Sequence, residues 1–457
     1  MKIVIMGSGY VGLVSGVGLA EIGHEVVCVD VASSKVAQIN SGTSPIYEEG
    51  LDALLKKNVA ARCLRATTNL AEAMVGAEIS MIAVGTPFDG KEIDLSFIRQ
   101  AAIDIGNTLQ YAADYHVVCV KSTVVPGTTQ DVVGPLLERA SGRRMGEGLG
   151  LCMNPEFLAE GTAVKDFMEP DRIVIGSVDA RTSALMQEMY SAFASTDFVL
   201  TTPVTAEMCK YAANSFLAAT ISFANEIANL CSEAGEVDAI EVLKAVHLDR
   251  RLSPLLPQGR VKPGLMSFLI PGTGFGGSCF PKDVKALVSY GAKIGRPMRI
   301  LEAVLETNRK QPSETIKLVK EELGLLSGKR IAVLGLAFKP GTDDVRESPA
   351  MPLIRALLKE GAHVVAHDPI AIPSMKAAIP EVDVDYCACL SDAIRDVAAV
   401  VLVTSWPQYA AIHNLLDSQA IPIIDGRRFL DKRKFARYRG IGLGRMRSEG
   451  RAEGGRS

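Results

Sequence analysis

At 457 residues the chain is too long for one ordinary hydrophobic core, so two or three domains are expected. Hydrophobic residues make up 48% and charged residues 22%, which fits a globular protein, and a net charge of -3 gives no basic field for nucleic acid. The opening MKIVIMGSGY lacks the pattern of a secretory leader and no apolar run approaches the ~20 residues of a membrane span, so the cytoplasm is the expected location, without membrane or nucleic-acid partners.

Residues 2 to 30, KIVIMGSGYVGLVSGVGLAEIGHEVVCVD, read as strand, glycine turn, helix and strand, ending on Asp30. GSGYVG follows the first strand directly: Gly7 permits the tight turn, Gly9 lets backbone approach a pyrophosphate, and Gly12 lets helix and strand pack closely. Tyr10, Val11 and Lys35 are further expected cofactor contacts. Asp30 is placed to bind the adenosine ribose hydroxyls and would repel a 2'-phosphate, so NAD is expected; the bland alternative is a glycine turn that binds nothing.

Short apolar runs at 79–87, 116–128 and 171–177 alternate with helical stretches such as 95–110, the pattern of a doubly wound α/β domain over about residues 1–200. VGTP and KSTVVPGT fall at strand ends that face the crevice in such folds, which offers Thr86, Pro87, Ser122 and Thr123 to a cofactor or leaves them as ordinary loop residues. NPEFLAEG puts Glu156 and Glu160 four apart, on one helix face, either as a solvated pair or as catalytic acids.

Residues 205–234 keep helical periodicity without proline or internal glycine, predicting one long helix capped by Thr205 and ended near Gly235, either connecting domains or forming a dimer core. Lys210 and Asn214 share one face of it, as a surface polar stripe or as a buried pair able to stabilise an alkoxide. Helices continue to about 325, interrupted by a loop at 249–278 that leads into FGGSCFPKD. Cys279 there has glycine-lined access, a lysine at 282 that favours thiolate and Asp283 as base or base-orienting group; a packing thiol is the alternative. The other eight cysteines are scattered through mostly apolar segments, suiting reduced thiols, and CAC at 387–389 lacks the histidines that would argue for a metal, so none is expected.

Strand, helix, strand and acid recur from Ile331 to Asp368 without GxGxxG spacing, so the second half is not expected to hold a dinucleotide pyrophosphate in the same way. The expected organisation is an NAD-binding Rossmann domain at 1–200, a helical dimerisation region with the cysteine loop at 201–325, a Rossmann-like domain at 326–440 and a disordered tail at 441–457.

With GSGYVG, VGTP, STVVPGT, NPEFLAEG, the Lys210 and Asn214 pair, FGGSCFPKD and FKPGTDDVRESP in this order, the chain resembles the UDP-glucose/GDP-mannose dehydrogenase family from residue 1 to about 430. The resemblance implies four-electron oxidation of a nucleotide-sugar C6 alcohol to a carboxylate with NAD, through a thiohemiacetal and thioester on Cys279, in a homodimer. It implies that Lys210 stabilises the oxyanion with Asn214 beside it, that Asp283 assists proton transfer, and that Glu160 and Thr123 hold a water or contact cofactor. Lys282 and Arg346 join the implied cofactor contacts. Glu156, Phe157, Leu158, Phe275 and Gly276 would touch substrate, with Phe338, Lys339 and Arg427 receiving its nucleotide.

One departure is an apparent insertion of about a dozen residues between Arg251, a further implied substrate contact, and Cys279. UDP-glucose is the default substrate, with GDP-mannose, a UDP-N-acetylhexosamine or a dTDP-sugar as alternatives. Two other readings stay open: a two-electron hydroxyacid dehydrogenase, which needs no cysteine, and a dinucleotide-binding sensor in which Cys279 only packs.

Overall fold

The computed structural model describes residues 1–110, 114–416 and 420–445. The chain forms two compact units, Met1–Ala213 with Lys285–Arg296, and Asn214–Val284 with the chain from Pro297 onward.

The first unit is built on strands β1 (Lys2–Met6), β2 (Glu25–Val29), β3 (Leu64–Thr67), β4 (Ile79–Ile82), β5 (His116–Val120), β6 (Leu149–Met153), β7 (Arg172–Ser177) and β8 (Asp197–Thr201). They lie in the order β3-β2-β1-β4-β5-β6-β7-β8, parallel except for the β6 and β7 pair. The first six follow the doubly wound order, and the winding reverses between β1 and β4, where Ile3 aligns with Val26 on one side and Ile79 on the other. Helices on both faces explain why strands such as HVVCV at 116–120 are apolar and buried throughout. Ile3, Ile5 and Cys28 pack into one layer, Val4, Val27 and Val118 into the other. Helix α1 (Tyr10–Glu21) follows β1 directly.

The long helix, α2 (Pro203–Ala234), begins two residues before the expected start. Thr205 is not its cap: Thr202 is, its hydroxyl accepting from the Thr205 N–H at 3.3 Å and its carbonyl from the Ala206 N–H at 3.0 Å. Pro203 suits the first helical position because its fixed φ is helical and it has no N–H to satisfy. Gly235, at φ +72°, ends the helix as expected.

In the second unit, the stretch expected as an inserted loop carries a small antiparallel hairpin, β9 (Leu255–Leu256) and β10 (Gly259–Arg260), then a 3-10 turn at Gly264–Leu269. Helix α3 (Phe280–Lys293) begins just after Cys279. A six-stranded, all-parallel sheet follows: β11 (Arg330–Leu334), β12 (His363–His367), β13 (Asp385–Tyr386), β14 (Ala399–Leu402), β15 (Ile423–Asp425) and β16 (Tyr438–Gly440). Its order, β13-β12-β11-β14-β15-β16, repeats the doubly wound order of the first sheet. Residues 441–445, expected as the start of a disordered tail, are packed: Ile441 is buried, the Gly442 N–H donates to Ser232 Oγ at 3.1 Å, and the Arg445 carbonyl accepts from Glu236. The rest of that tail lies outside the described residues.

Candidate active site

The glycine turn has the geometry of a dinucleotide cradle. Gly7 sits at φ +96°, and a Cβ there would lie 2.8 Å from the Ala83 carbonyl; a Cβ on Gly12 would overlap the Gly7 carbonyl. Around Gly9 there is open space, where a pyrophosphate needs it, at the N-terminus of α1. Asp30 Oδ2 accepts from the Ser8 N–H at 2.9 Å and the Ser8 hydroxyl at 2.6 Å, and Oδ1 from the Ala32 N–H at 3.0 Å. Burial opposes its ionisation, but these hydrogen bonds and the charge of Lys35 outweigh it and hold the carboxyl below its usual range. These residues fit NAD: the turn leaves room for a pyrophosphate, and an ionised acid stands where the adenosine ribose falls in this fold.

Hydroxyls from the strand-end loops tie those loops together. Thr86 donates to the Thr123 carbonyl at 2.9 Å, and Ser122 to the Val84 carbonyl at 2.7 Å, so both spend their hydrogen on backbone. Pro87 accepts from the Asp94 N–H at 2.9 Å, Thr123 is half-buried, and Val11, like Tyr10, stands in the first turn of α1.

The two glutamates of NPEFLAEG part company. Glu156 is buried and pairs with buried Lys210 at 3.0 Å, while its other oxygen accepts from the Leu158 N–H at 2.6 Å. Lys210 also lies 5.6 Å from the Phe157 ring centre, and Arg172 stacks on that ring at 3.8 Å. Glu160, expected with Thr123 to hold a water or contact cofactor, is only partly buried at the other end of the loop, beside Gly161. That end is held by Glu48, which the sequence did not single out. Glu48 accepts from the Gly161 and Ala163 N–H groups at 2.7 and 2.8 Å and from the Tyr10 hydroxyl. Burial, then the hydrogen bond and charge of Glu48, raise the Tyr10 phenol well above its ordinary value.

In the second unit, Cys279 occupies the cap position of α3: its carbonyl accepts from the Asp283 N–H at 2.8 Å. The N-terminal end of a helix carries partial positive charge and favours a thiolate. The partly buried Sγ lies 3.5 Å from the Ser278 hydroxyl. Asp283, 1% exposed, accepts from Asn214 Nδ2 at 2.6 Å on one oxygen and pairs with Lys282 at 2.6 Å on the other. Lys282 is thereby engaged with Asp283.

The glycines before the cysteine pack against the last α/β sheet's loops. The Gly277 N–H donates to the Arg346 carbonyl at 2.8 Å, and the Thr273 N–H to the Gly426 carbonyl at 2.9 Å. A Cβ on Gly277, at φ +83°, would stand 2.8 Å from the Phe338 ring; one on Gly276 would overlap the Glu347 carbonyl. Asn308 grips Phe275 on both sides, accepting from its N–H at 2.7 Å and donating to its carbonyl at 2.9 Å, and Asn225 accepts from the Gly272 N–H at 2.8 Å. These asparagines give no spacing signal in the sequence, because their partner lies dozens of residues away.

Arg427, expected to touch the nucleotide, directs its guanidinium at three carbonyls, those of Val403 at 2.5 Å, Gly274 at 3.0 Å and Phe338 at 3.4 Å. Burial pulls it down to about 10, against the pull of Asp425. In this structure it braces the cysteine loop. Lys339 stands 5.7 Å from the Phe338 ring centre. Arg251 and Arg346 are exposed and forked onto Asp249 and Asp344, two residues before each.

The second sheet repeats the acid but not its use. Asp368 accepts from the Leu336, Ala337, Ile370 and Ala371 N–H groups and from the Trp406 indole, so its lone pairs are filled and a ribose has no place on it. Among the described residues no cluster of histidine, cysteine and acidic side chains could hold a metal, and no helix is long and apolar enough to cross a membrane.

Comparison with known proteins agrees with this layout. Three family models match in order: the NAD binding domain of the UDP-glucose/GDP-mannose dehydrogenase family at residues 1–194, its central domain at 204–310 and its UDP binding domain at 332–432. The UDP-glucose 6-dehydrogenase AglM of Haloferax volcanii is 43% identical over 96% of this chain and 100% of its own length. TuaD, a UDP-glucose 6-dehydrogenase of Bacillus subtilis, is 42% identical over 93% of this chain and 89% of its own. A solved UDP-glucose dehydrogenase from Pyrobaculum islandicum superposes with a TM-score of 0.88 at 38% identity, covering 96% of this chain and 97% of that one. By sequence and by fold, the chain belongs to the UDP-glucose/GDP-mannose dehydrogenase family.

Proposed function

We propose that the protein is an NAD-dependent dehydrogenase that oxidises the C6 alcohol of UDP-glucose to the carboxylate of UDP-glucuronate. The observation that carries this reading is Cys279 at the cap of α3 with Asp283, held by Asn214 and Lys282, one turn on. An alcohol-to-aldehyde oxidation needs no thiol; a cysteine so placed explains how oxidation proceeds to the acid. UDP-glucose is taken from the names of relatives 42–43% identical to this chain.

Overall, one alcohol, two NAD+ and one water give one carboxylate, two NADH and three protons. Bound NAD supplies the hydride acceptor in both oxidations. Lys210, its charge balanced by Glu156, stabilises the alkoxide and later oxyanions. Glu160 and Thr123 are assigned to the hydrolytic water. Cys279 Sγ adds to the aldehyde carbon as a thiohemiacetal, Asp283 managing the proton, and oxidation leaves a thioester. Water attacks that thioester, releasing the acid and restoring the thiol. Glu156 to Leu158, Phe275, Gly276, Phe338 and Lys339 are assigned to substrate, and Arg427 to holding the cysteine loop through the Gly274 carbonyl.

The same reading takes the protein as a homodimer. Phe216, Phe223 and Leu230 recur every seven residues on α2 and are 59%, 51% and 68% exposed, an apolar stripe that a second copy would cover. Nine free cysteines fit a reducing compartment, the cytoplasm.

A panel of UDP-, GDP- and dTDP-sugars with NAD, read as NADH per sugar oxidised, tests the function. Two NADH with UDP-glucose are expected; one per sugar would defeat the covalent route, and preference for GDP-mannose would move the substrate assignment.

A further inference from the structure

Lys121 directly follows β5, just before Ser122, and is 5% exposed. Its Nζ donates to Asn154 Oδ1 at 2.8 Å and to the Tyr190 hydroxyl at 3.3 Å. Tyr190, itself buried, donates to the same Asn154 oxygen at 2.7 Å, and Asn154 Nδ2 donates to the Val174 carbonyl at 2.7 Å. Both partners of the ammonium are neutral. An apolar side chain of similar length would fill this space without the cost of burying a charge, so packing alone does not account for a lysine.

What this lysine holds is the head of the loop that presents Glu156, two residues beyond Asn154. A cavity of about 280 Å³ is lined by Lys121, Asn154, Glu156, Tyr190 and Ser15, among others. Ser15 Oγ is buried there without a partner, and the space admits several waters at ~30 Å³ each. The titratable groups around the amine are Cys119 on β5, Cys152 on β6, Tyr190, Glu156 and Lys210 on α2. Burial raises the Cys152 thiol and the Tyr190 phenol well above their usual ranges, so neither adds a charge beside Lys121 near neutral pH. Burial pulls the Lys121 amine below the usual lysine range; Glu156 opposes that fall and Lys210 adds to it.

We propose that Lys121 is a positioning residue for the reaction: through Asn154 it fixes the backbone that presents Glu156, and its charge sets the proton balance of the Glu156 and Lys210 pair. This rests on the assignment of that pair to catalysis. A buried positive charge disfavours protonation of ionisable groups around it, so its removal is expected to move the pH dependence of activity upward.

The test compares Lys121→Met, Lys121→Gln and Tyr190→Phe with the parent, measuring kcat/KM for UDP-glucose across pH, NAD affinity and Tm. For the two Lys121 variants we expect kcat to fall roughly tenfold or more and both limbs of the pH profile to move up by roughly half a unit or more, with NAD affinity kept. Tyr190→Phe removes a hydroxyl and no charge, so its limbs stay in place. Limbs that coincide with the parent in both Lys121 variants overturn the proposal, as does failure of both to fold, which would assign Lys121 to stability alone. A parent protein that yields no NADH from any nucleotide sugar sinks the catalytic assignment itself, a different result from a working parent with unmoved limbs.

Discussion

Asn214 Nδ2 donates to Asp283 Oδ2 at 2.6 Å, joining the long helix to the first turn of the helix that Cys279 caps. This bond leaves Asp283 with one oxygen on Asn214 and the other on Lys282, a fixed orientation for a buried carboxylate. Asn214→Ala releases that oxygen. We expect kcat to fall by about 10- to 100-fold, within the range of lost acid-base assistance, and alkylation of Cys279 by iodoacetamide to slow. Steady-state kinetics and an alkylation time course check this; unchanged values for both would remove Asn214 from the catalytic group.

Gly9 and Gly12 should respond differently to the same substitution. A methyl at Gly9 enters open space, so Gly9→Ala should keep its Tm while NAD affinity drops. At Gly12 a methyl collides with the Gly7 carbonyl, so Gly12→Ala should lose both. Thermal melts with and without NAD separate them, and equal Tm losses would contradict the open face at Gly9.

Gly277→Ala meets two obstacles, a left-handed backbone at φ +83° and the Phe338 ring. The expected cost is about 1–3 kcal/mol, seen as a lower Tm, together with a higher KM for the nucleotide sugar. NAD affinity should be unaffected, since the cradle belongs to the other unit. Equilibrium dialysis with NAD and kinetics with UDP-glucose check the split.

His116 gives the first unit a defined acid sensitivity. Burial, despite the hydrogen bond with the Ala77 carbonyl at 2.9 Å and helped by Arg143, holds the imidazole down to about 4, while Ser80 Oγ lies 2.8 Å from Nε2. The unfolded chain takes up its proton near the ordinary value of about 6.5 and the folded chain does not. Stability is therefore full above that value and falls by about 3 kcal/mol as pH drops to about 4. Denaturant titrations at pH 7 and pH 4.5 should show a smaller pH-dependent loss in His116→Gln than in the parent.

The stripe on α2 predicts an oligomer. Phe223→Glu places a charge at its centre and should yield monomers in sedimentation equilibrium without loss of helix content; an undisturbed dimer would move the interface elsewhere.

Much of this was readable in the sequence because it is local. A parallel strand buried on both faces must be apolar throughout, and a turn that admits a pyrophosphate needs glycines at fixed spacing, so GSGYVG and Asp30 declared the cradle. The position of Asp283 one turn after Cys279 also follows from neighbours in the chain. What only the tertiary structure decided is which distant groups meet. It paired Glu156 with Lys210, moved the cap of the long helix from Thr205 to Thr202, and set the Arg427 guanidinium on the Gly274 carbonyl of the cysteine loop. It also explained the glycines before Cys279 as room for the Phe338 ring and the Glu347 carbonyl. Backbone conformation is set over a few residues and leaves a periodic mark; a hydrogen bond or a steric limit between residues a hundred positions apart leaves none.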